Sequence, residues 1–186
     1  MKTVVYTIGH STRTIDAFLT LLRREGIRSL IDVRAFPMSR RHPQFNRESL
    51  SSTLSANDVT YVHAPALGGR RRPRSNSQNT AWRNESFRAY ADHMGTPEFR
   101  EARDTVMATA SHLPTTVMCA EALPWRCHRW LIADALVALG CEVRHVLDGS
   151  ADPHTLTEFA RVVGGEVTYP SSAVVTAPQT ELFEGR

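Results

Sequence analysis

The segment from Cys119 to Arg129 holds the densest set of reactive side chains in the sequence, with Glu121, Cys127 and His128 between its ends. A cysteine that ends a strand, faces a helix N-terminus and lies near arginines is expected to have a lowered pKa and to act as a nucleophile. A glutamate beside it can donate or accept a proton. We therefore predict Cys119 and Glu121 as catalytic residues, with Cys119 as nucleophile or as a polar wall of the site.

Other interpretations of this segment stay open. Cys119 could end a buried strand as a small hydrophobic residue while Glu121 pairs with Arg126. The sequence also resembles, superficially, the anion-binding cysteine loop of rhodaneses and cysteine phosphatases, but that loop needs free backbone amides, and Pro124 removes one. A zinc site would draw on the two cysteines with His128 and His10, yet seven residues separate the cysteines, which is not a zinc-binding spacing. No metal is therefore predicted.

Polar residues also follow the other predicted strands. His10 and Ser11 come after the first strand, Arg34 after the second, and Gly68 and Gly69 after the third. We predict that His10 orients the reacting group as a third catalytic residue and that the others bind substrate, with Arg34 holding a phosphate. His10 could instead be a simple turn residue.

Basic residues are concentrated in one part of the chain. Residues 34–88 contain ten arginines and three acidic residues, within a chain of formal net charge +3. This asymmetry favours an anionic partner, although 21 arginines to one lysine could also reflect coding bias. The candidate phosphate contacts are Arg40, Arg41, Asn46 and Arg129, and the candidate nucleic-acid contacts are Arg70, Arg71, Arg72 and Arg74.

The elements that must position these residues follow from periodicity. Apolar runs of strand length alternate with segments of helical period, which predicts an α/β fold, a three-layer α/β/α arrangement with a mostly parallel sheet of about five strands. The predicted strands are 4–8, 29–34, 59–63, 115–119 and 142–147. The predicted helices lie at about 15–25, 50–54, 85–112, 126–139 and 154–163, and the stretch 85–112 is predicted as one or two helices with a break near Gly95-Thr96-Pro97. Because parallel strands end at one edge, the polar residues above are expected to meet there.

Length and composition set the organisation. The 186 residues predict a single domain over residues 1–165, with a flexible basic insertion at 70–84 and a flexible tail at 166–186. No apolar run reaches membrane-spanning length, and the first residues do not form a signal peptide, so no membrane association is predicted. Three cysteines exclude a disulfide scaffold and favour the cytoplasm. No dinucleotide-binding or phosphate-binding loop is recognisable, and no cofactor is predicted.

The C-terminal tail carries one short motif. Gln179, Leu182 and Phe183 have the spacing Gln-x-x-Leu-Phe, which resembles the peptide by which bacterial replication and repair proteins bind the sliding clamp. A flexible segment of this kind can insert two apolar side chains into a cleft while the glutamine fixes the register. We predict a sliding-clamp interaction, against the alternative that the pair packs on its own domain.

The motifs together resemble the bacterial and archaeal family known as domain of unknown function 488. They are the segments TIGHS at 7–11, DVR at 32–34 with FP at 36–37, PQFN at 43–46, LGG at 67–69 and CAE at 119–121 with CHR at 127–129. The resemblance covers about residues 4–148. It implies an α/β domain without an established reaction, and its motifs specify the residue types of His10, Ser11, Arg34, Asn46, Cys119, Glu121, Cys127, His128 and Arg129.

Three functions remain open at this point. The leading hypothesis is a nucleic-acid- or nucleotide-processing protein of a DNA-repair type, with its polar site at the carboxyl edge of the sheet. The second is a non-catalytic adaptor for nucleic acid or the sliding clamp. The third is a cysteine-dependent sulfur or phosphate transferase, which predicts an unusually reactive thiol.

Overall fold

A six-stranded sheet forms the centre of the protein in the computed structural model, which describes residues 2–171. The strands are β1 (Val4–Gly9), β2 (Ser29–Asp32), β3 (Thr60–His63), β4 (Thr115–Cys119), β5 (Glu142–Val146) and β6 (Ala151–Pro153). Their order across the sheet is β3-β2-β4-β1-β5-β6. The first five run parallel and β6 is antiparallel to β5, so the prediction of a mostly parallel sheet is confirmed.

Helices cover both faces of this sheet. They are α1 (Ile15–Arg24), α2 (Arg47–Ser55), α3 (Glu85–Met94), α4 (Pro97–Ala110) and α5 (Arg129–Ala138). One apolar core joins α1 and α2 to the sheet through residues such as Phe18 and Leu54. A second core joins the other three helices to the opposite face, with Tyr90, Phe99 and Leu131 fully buried in it. The predicted three-layer α/β/α fold is therefore confirmed.

Local sequence signals define the helix ends. The Thr14 side chain accepts a hydrogen bond from the Ala17 amide at 3.2 Å, which caps α1, and Gly26 ends that helix region with a φ of 64°. The predicted helical stretch 85–112 is divided near Gly95 into α3 and α4, because Thr96 accepts from the Phe99 amide and starts a new helix.

The predicted helix at 154–163 is wrong. This stretch begins as irregular chain and continues into β7 (Arg161–Val163), which pairs with β8 (Glu166–Thr168) as an antiparallel hairpin. The turn between them is Gly164-Gly165, with φ angles of 59° and 81°, the conformation that tight two-residue hairpin turns require. Residues 166–169, predicted as the start of the tail, belong to the domain, since β8 leads to Tyr169 in the core.

The basic segment 70–84 contains no helix or strand and is attached to the domain at both ends. Arg71 donates hydrogen bonds to the carbonyl oxygens of Pro65, Ala66 and Gly68. Asn79 is buried, and its side-chain oxygen accepts from the Tyr169 amide at 2.8 Å. The flexibility of the intervening residues stays a prediction. Among residues 2–171, no helix combines the length and apolar character that crossing a membrane requires.

Candidate active site

A cavity of about 380 Å³ opens at the carboxyl edge of the sheet. Its walls come from the residues after β2 and β4, from Gly69 and Arg70, from the first turns of α3, and from the residues just before α5. Both Cys119 and Cys127 line it, together with Glu121. Polar residues from several separate segments of the chain therefore lie together at the carboxyl edge of the sheet, as expected from the sequence.

The two cysteines are in direct contact. Their Sγ atoms lie 2.9 Å apart. Cys119 Sγ accepts hydrogen bonds from Arg129 Nε at 2.9 Å and from the Glu121 amide at 3.3 Å. Cys127 Sγ accepts from the Arg129 amide at 3.5 Å and lies 3.4 Å from His128 Nδ1. Every donor around the pair therefore favours a negative charge on sulfur.

Arg129 is the cation of this site, and it is only 1% exposed. Besides Cys119, its guanidinium donates to the carbonyl oxygens of Glu121 and Ala122 and to the Thr7 hydroxyl. Among the described residues, no carboxylate forms an ion pair with it. A buried guanidinium is costly without a counter-charge, so the environment stabilises one thiolate on the cysteine pair.

The pKa values of the two thiols move in opposite directions, and the pKa of Cys119 moves opposite to the sequence expectation. Burial and the hydrogen bond to Cys127 raise the pKa of the Cys119 thiol. The hydrogen bond from Cys119 lowers the pKa of Cys127, and His128 lowers it further. Cys127 also directly precedes His128, the N-cap of α5, whose helix dipole favours an anion. The pKa directions and the helix dipole thus favour Cys127 as the thiolate with Cys119 as its protonated partner, while the role of Cys119 as nucleophile stays a prediction from sequence.

Two glycines allow the chain to approach this closely. A Cβ at Gly9 would lie 1.8 Å from the carbonyl oxygen of Glu121, and a Cβ at Gly69 would lie 2.5 Å from Nδ1 of His128. Any larger residue at Gly9 would push the 120–128 loop off β1, and at Gly69 it would displace the imidazole beside Cys127. These glycines are therefore requirements of the site geometry.

Glu121 forms the wall between this cavity and a neighbouring groove. The groove is lined by residues that follow β1 and β2, including His10, Ser11 and Met38. The Glu121 side chain is exposed and makes no ion pair within residues 2–171, and its Oε1 lies 3.5 Å from the Leu123 amide. A carboxylate in this position can exchange protons with a ligand on either side.

His10 is neutral, and both of its ring nitrogens form hydrogen bonds within the domain. Its Nδ1–H donates to the Ser11 carbonyl at 2.9 Å, which leaves Nε2 to accept from Arg34 Nη1 at 3.2 Å. The ring stacks on Phe45 with centroids 4.3 Å apart. Burial and the neighbouring Arg34 lower the pKa of His10 to about 4. This histidine shapes the groove, and its ring nitrogens have no free lone pair for the orienting role predicted from sequence.

Arg34 is likewise balanced internally. It forms a two-pronged ion pair with Asp32, at 2.9 Å from Nε and 2.6 Å from Nη2, and donates to the Phe45 carbonyl at 2.8 Å. Tyr61 donates to the same carboxylate at 2.7 Å, and burial with that carboxylate raises the pKa of Tyr61. Although Arg34 borders both cavities, its charge is neutralised, which weakens the predicted phosphate contact.

The remaining residues predicted from sequence lie in different places. Asn46 accepts from the Ser39 amide at 2.6 Å, and Gly68 packs against Ala35, so both shape loops. Arg70 borders the cavity with its guanidinium 5.6 Å from the Phe36 ring. Ser11 lies in the groove with a φ of 50°. The other predicted arginines of these segments outside the cavity wall are Arg40, Arg41, Arg72 and Arg74, which are exposed, and Arg71, which is partly buried. Gln179, Leu182 and Phe183 lie outside the described residues.

Aromatic side chains line the cavity. Phe36, Phe87 and Tyr90 all border it, and Phe36 is 72% exposed. Arg126 borders the same cavity, and within residues 2–171 neither it nor Arg70 forms an ion pair. Aromatic surfaces and uncompensated guanidinium groups thus occur side by side.

Sequence reasoning missed the buried polar residues behind the site. Thr7, Asp134, His145 and His154 form a hydrogen-bonded chain that ends at Arg129. The one available signal was Asp134, a carboxylate among the otherwise apolar residues 130–138 of α5. Among the described residues, no cluster of three or more histidines, cysteines and carboxylates is arranged to hold a metal ion.

Fold and site together define an α/β domain with a thiol pair at the carboxyl edge of its sheet. The chain belongs to the family described as "Domain of unknown function DUF488", whose model matches residues 14–136. The match includes both site cysteines and Arg129, while His10, His145 and His154 lie outside it. Comparison with curated proteins and with solved structures found no match.

Proposed function

We propose that this protein is an enzyme that transfers a group through a cysteine thiolate, with Cys127 as the nucleophile and a nucleotide or nucleic acid as the substrate. The observation that carries the proposal is the contact of the cysteine pair with a buried arginine that has no carboxylate partner within residues 2–171. An active-site arrangement that stabilises a thiolate at neutral pH and opens it to a cavity is what nucleophilic cysteines require.

The reaction has two half-steps. The Cys127 thiolate attacks an electrophilic atom of the substrate, the bond to the leaving group breaks, and Glu121 supplies the proton that the leaving group needs. An acceptor, water or a second substrate, then attacks the group on sulfur and restores the thiolate, while Glu121 takes up a proton. Cys119 keeps its proton throughout and stabilises the thiolate by donating to it.

The anionic part of the substrate would be held by side chains. The backbone amides of Arg126 and Cys127 donate to the Leu123 and Pro124 carbonyls at 3.2 and 3.0 Å. Those amides are therefore not free to surround an anion, in contrast to the loops of rhodaneses and cysteine phosphatases. Arg70 and Arg126 have free guanidinium donors for a phosphate, and this supports an anionic substrate.

A planar group fits the rest of the cavity. Phe87 and Tyr90 supply an apolar inner wall, and Phe36 lies beneath the Arg70 guanidinium at the mouth. Stacking on aromatic rings next to arginine contacts is a common way to bind a nucleotide base with its phosphate. This combination favours nucleotides over simple inorganic anions, and it agrees with a role in nucleic-acid processing or DNA repair.

The thiolate is tested by alkylation of the full-length protein with iodoacetamide between pH 5 and pH 9. An ordinary thiol has a pH midpoint of about 8.5, and we expect Cys127 to react with a midpoint well below that value. The Cys127→Ser variant should lose this reaction. Peptide mass mapping assigns the modified residue, and the core residue Cys141 provides an internal control. A midpoint at or above 8.5 for Cys127 contradicts the proposal.

A second candidate is binding to nucleic acid or to the sliding clamp without catalysis. It is supported by the exposure of four arginines in the basic part of the chain, which are Arg40, Arg41, Arg72 and Arg74. The clamp motif itself lies outside the described residues, so that part stays a prediction from sequence.

A further inference from the structure

A continuous row of buried polar side chains runs behind the cysteine pair and crosses three elements of the fold. Its members, in order, are Asp134, His154, His145, Thr7 and Arg129. Both ends belong to α5, while Thr7 lies on β1, His145 on β5, and His154 directly after β6. Each of the five residues is at most partly accessible, and Asp134 and Thr7 are fully buried.

Each link is within hydrogen-bond distance. Asp134 Oδ1 lies 2.9 Å from His154 Nε2, and His154 Nδ1 lies 3.0 Å from His145 Nε2. His145 Nδ1 lies 2.7 Å from the Thr7 hydroxyl, which in turn lies 3.4 Å from Arg129 Nη1. Arg129 Nε then reaches Cys119 Sγ at 2.9 Å, so the row ends on the thiol pair.

One proton arrangement satisfies every member. Arg129 can only donate, so Thr7 accepts from it and donates its own hydroxyl proton to Nδ1 of His145. Nε2–H of His145 then donates to His154, whose Nε2–H donates to the Asp134 carboxylate. This arrangement requires a neutral His145, and burial together with the adjacent His154 lowers its pKa to about 3.

Asp134 is satisfied without Arg129. Besides His154, it accepts from the Thr157 amide at 2.9 Å, the Thr157 hydroxyl at 2.6 Å and the Tyr169 hydroxyl at 2.7 Å. At one end of the row, the Asp134 carboxylate is thus held by hydrogen bonds from His154, Thr157 and Tyr169. The positive charge of Arg129 at the other end faces the sulfur atoms.

We propose that this row is a positioning device for the cysteine pair, in which Thr7 fixes the guanidinium of Arg129 so that its Nε–H points at Cys119 and its charge stabilises the thiolate shared by the pair. The inference rests on the proposed thiolate chemistry and adds the residues that keep the cation in place. Without Thr7, Nη1 of Arg129 loses its acceptor inside the core, and the guanidinium turns toward other carbonyl oxygens. The negative charge on the pair would then be less stable.

The experiment compares Thr7→Val with Thr7→Ser in the full-length protein. Valine keeps the shape and β-branching of threonine but has no hydroxyl, whereas serine restores it. The matched control is Thr116→Val, because Thr116 is a buried threonine on the adjacent strand whose hydroxyl has no partner within the described residues. The readout is the pH dependence of Cys127 alkylation by iodoacetamide, with the thermal midpoint of unfolding measured alongside.

For Thr7→Val we expect alkylation at pH 6 to slow by about tenfold, which corresponds to an upward shift of about one unit in the thiol midpoint. Thr7→Ser keeps the hydroxyl and Thr116→Val removes one that lies outside the row, so both variants should stay within about twofold of the unchanged protein. A twofold change is small beside the tenfold change that one unit of pKa represents. The other titratable groups that line the cavity with the pair are His128, Glu121, Arg126, Arg34, Arg70 and Tyr90, and none of them is altered in these variants.

The outcomes separate the two proposals. A low midpoint in the unchanged protein that does not move in folded Thr7→Val overturns the positioning role and leaves the thiolate enzyme intact. A lower thermal midpoint with an unmoved alkylation profile would mean that the row is only structural. An ordinary thiol midpoint in the unchanged protein overturns both proposals. If Thr7→Val does not fold, His154→Gln replaces it, because glutamine can still donate to Asp134 but offers no acceptor at the Nδ1 position, and the same tenfold slowing is expected.

Discussion

At the scale of residues, the site depends on where unbalanced charge is placed. Arg34 and Arg129 are both buried arginines at the carboxyl edge, but they differ in partners. Arg34 is neutralised by Asp32, while Arg129 faces sulfur atoms and carbonyl oxygens. Sequence alone ranks Arg34 as the more obvious ligand for an anion, and only the side-chain contacts reverse that order.

His10 gives a prediction about acid stability. Its pKa is lowered to about 4 in the folded protein, from 6.5 in an unstructured chain. The unfolded chain therefore binds a proton first, and the stability contributed by neutral His10 is complete above pH 6.5 and is lost as the pH falls toward 4. We expect the unfolding free energy of the protein to fall over this window, and His10→Gln to flatten that fall.

The comparison is made by chemical denaturation at pH 7, 5.5 and 4.5. His112→Gln serves as the control, because His112 is exposed at the end of α4 and should leave the pH dependence unchanged. Equal slopes for the unchanged protein and His10→Gln would show that His10 does not govern the acid response.

At the scale of elements, the C-terminal hairpin leads into a residue that hydrogen-bonds to Asp134. Strand β8 leads into Tyr169, whose hydroxyl donates to Asp134, and the Gly164-Gly165 turn sets the pairing of β7 with β8. Because Gly165 has a φ of 81°, an alanine there is strained and also meets Leu139 Cδ2 at 2.6 Å. Through Tyr169, this hairpin therefore contacts Asp134 of α5, which lies far from it in sequence.

We expect Gly165→Ala to lower the free energy of unfolding by about 1–2 kcal/mol, the cost of a left-handed conformation for a residue with a Cβ. Urea denaturation measures this value. Gly149→Ala is the matched control, since a Cβ at Gly149 meets nothing within 4 Å and its φ is not in the left-handed region. A loss of similar size in both variants would contradict the strained-turn explanation.

The sequence predicted the parallel sheet and the edge where its polar residues meet, because strand and helix periods are local properties. It assigned the thiolate to Cys119 because a strand end was the visible feature. The identity of the charged sulfur depends on the short helical turn at 124–126, which brings Cys127 back to Cys119, and on His128. The helix predicted at 154–163 failed because the paired glycines at 164 and 165 were not recognised as a hairpin turn.

The histidine row was out of reach for the same kind of reason. Thr7, His145 and His154 are separated by up to 147 residues along the chain, and each is unremarkable in its own segment. Only the pairing of β1 with β5 and of β5 with β6 brings them together. Local patterns carry no information about such contacts.

At the scale of the whole molecule, the domain has its candidate active-site cavity at one edge of the sheet, and the clamp motif predicted from sequence lies beyond the described residues. Changing Gln179, Leu182 and Phe183 to alanine in the full-length protein should abolish micromolar binding to the host's sliding clamp, because the two apolar side chains supply the buried contact of such peptides. Surface plasmon resonance with immobilised clamp measures this.

The control for that experiment is Cys127→Ser, which should bind the clamp as the unchanged protein does. Absence of binding by the unchanged protein would remove the clamp from the list of partners, and nucleotides alone would then be screened against the cavity.

The hydrogen bonds from Thr157 and Tyr169 to Asp134 also have a consequence for biosynthesis. During translation both site cysteines leave the ribosome well before residue 169 does. The hydrogen bond from Tyr169 to Asp134 can form only once the last hairpin has docked behind the row. If the row positions the cysteine pair as we propose, the sulfur atoms acquire their full reactivity only at the final stage of folding.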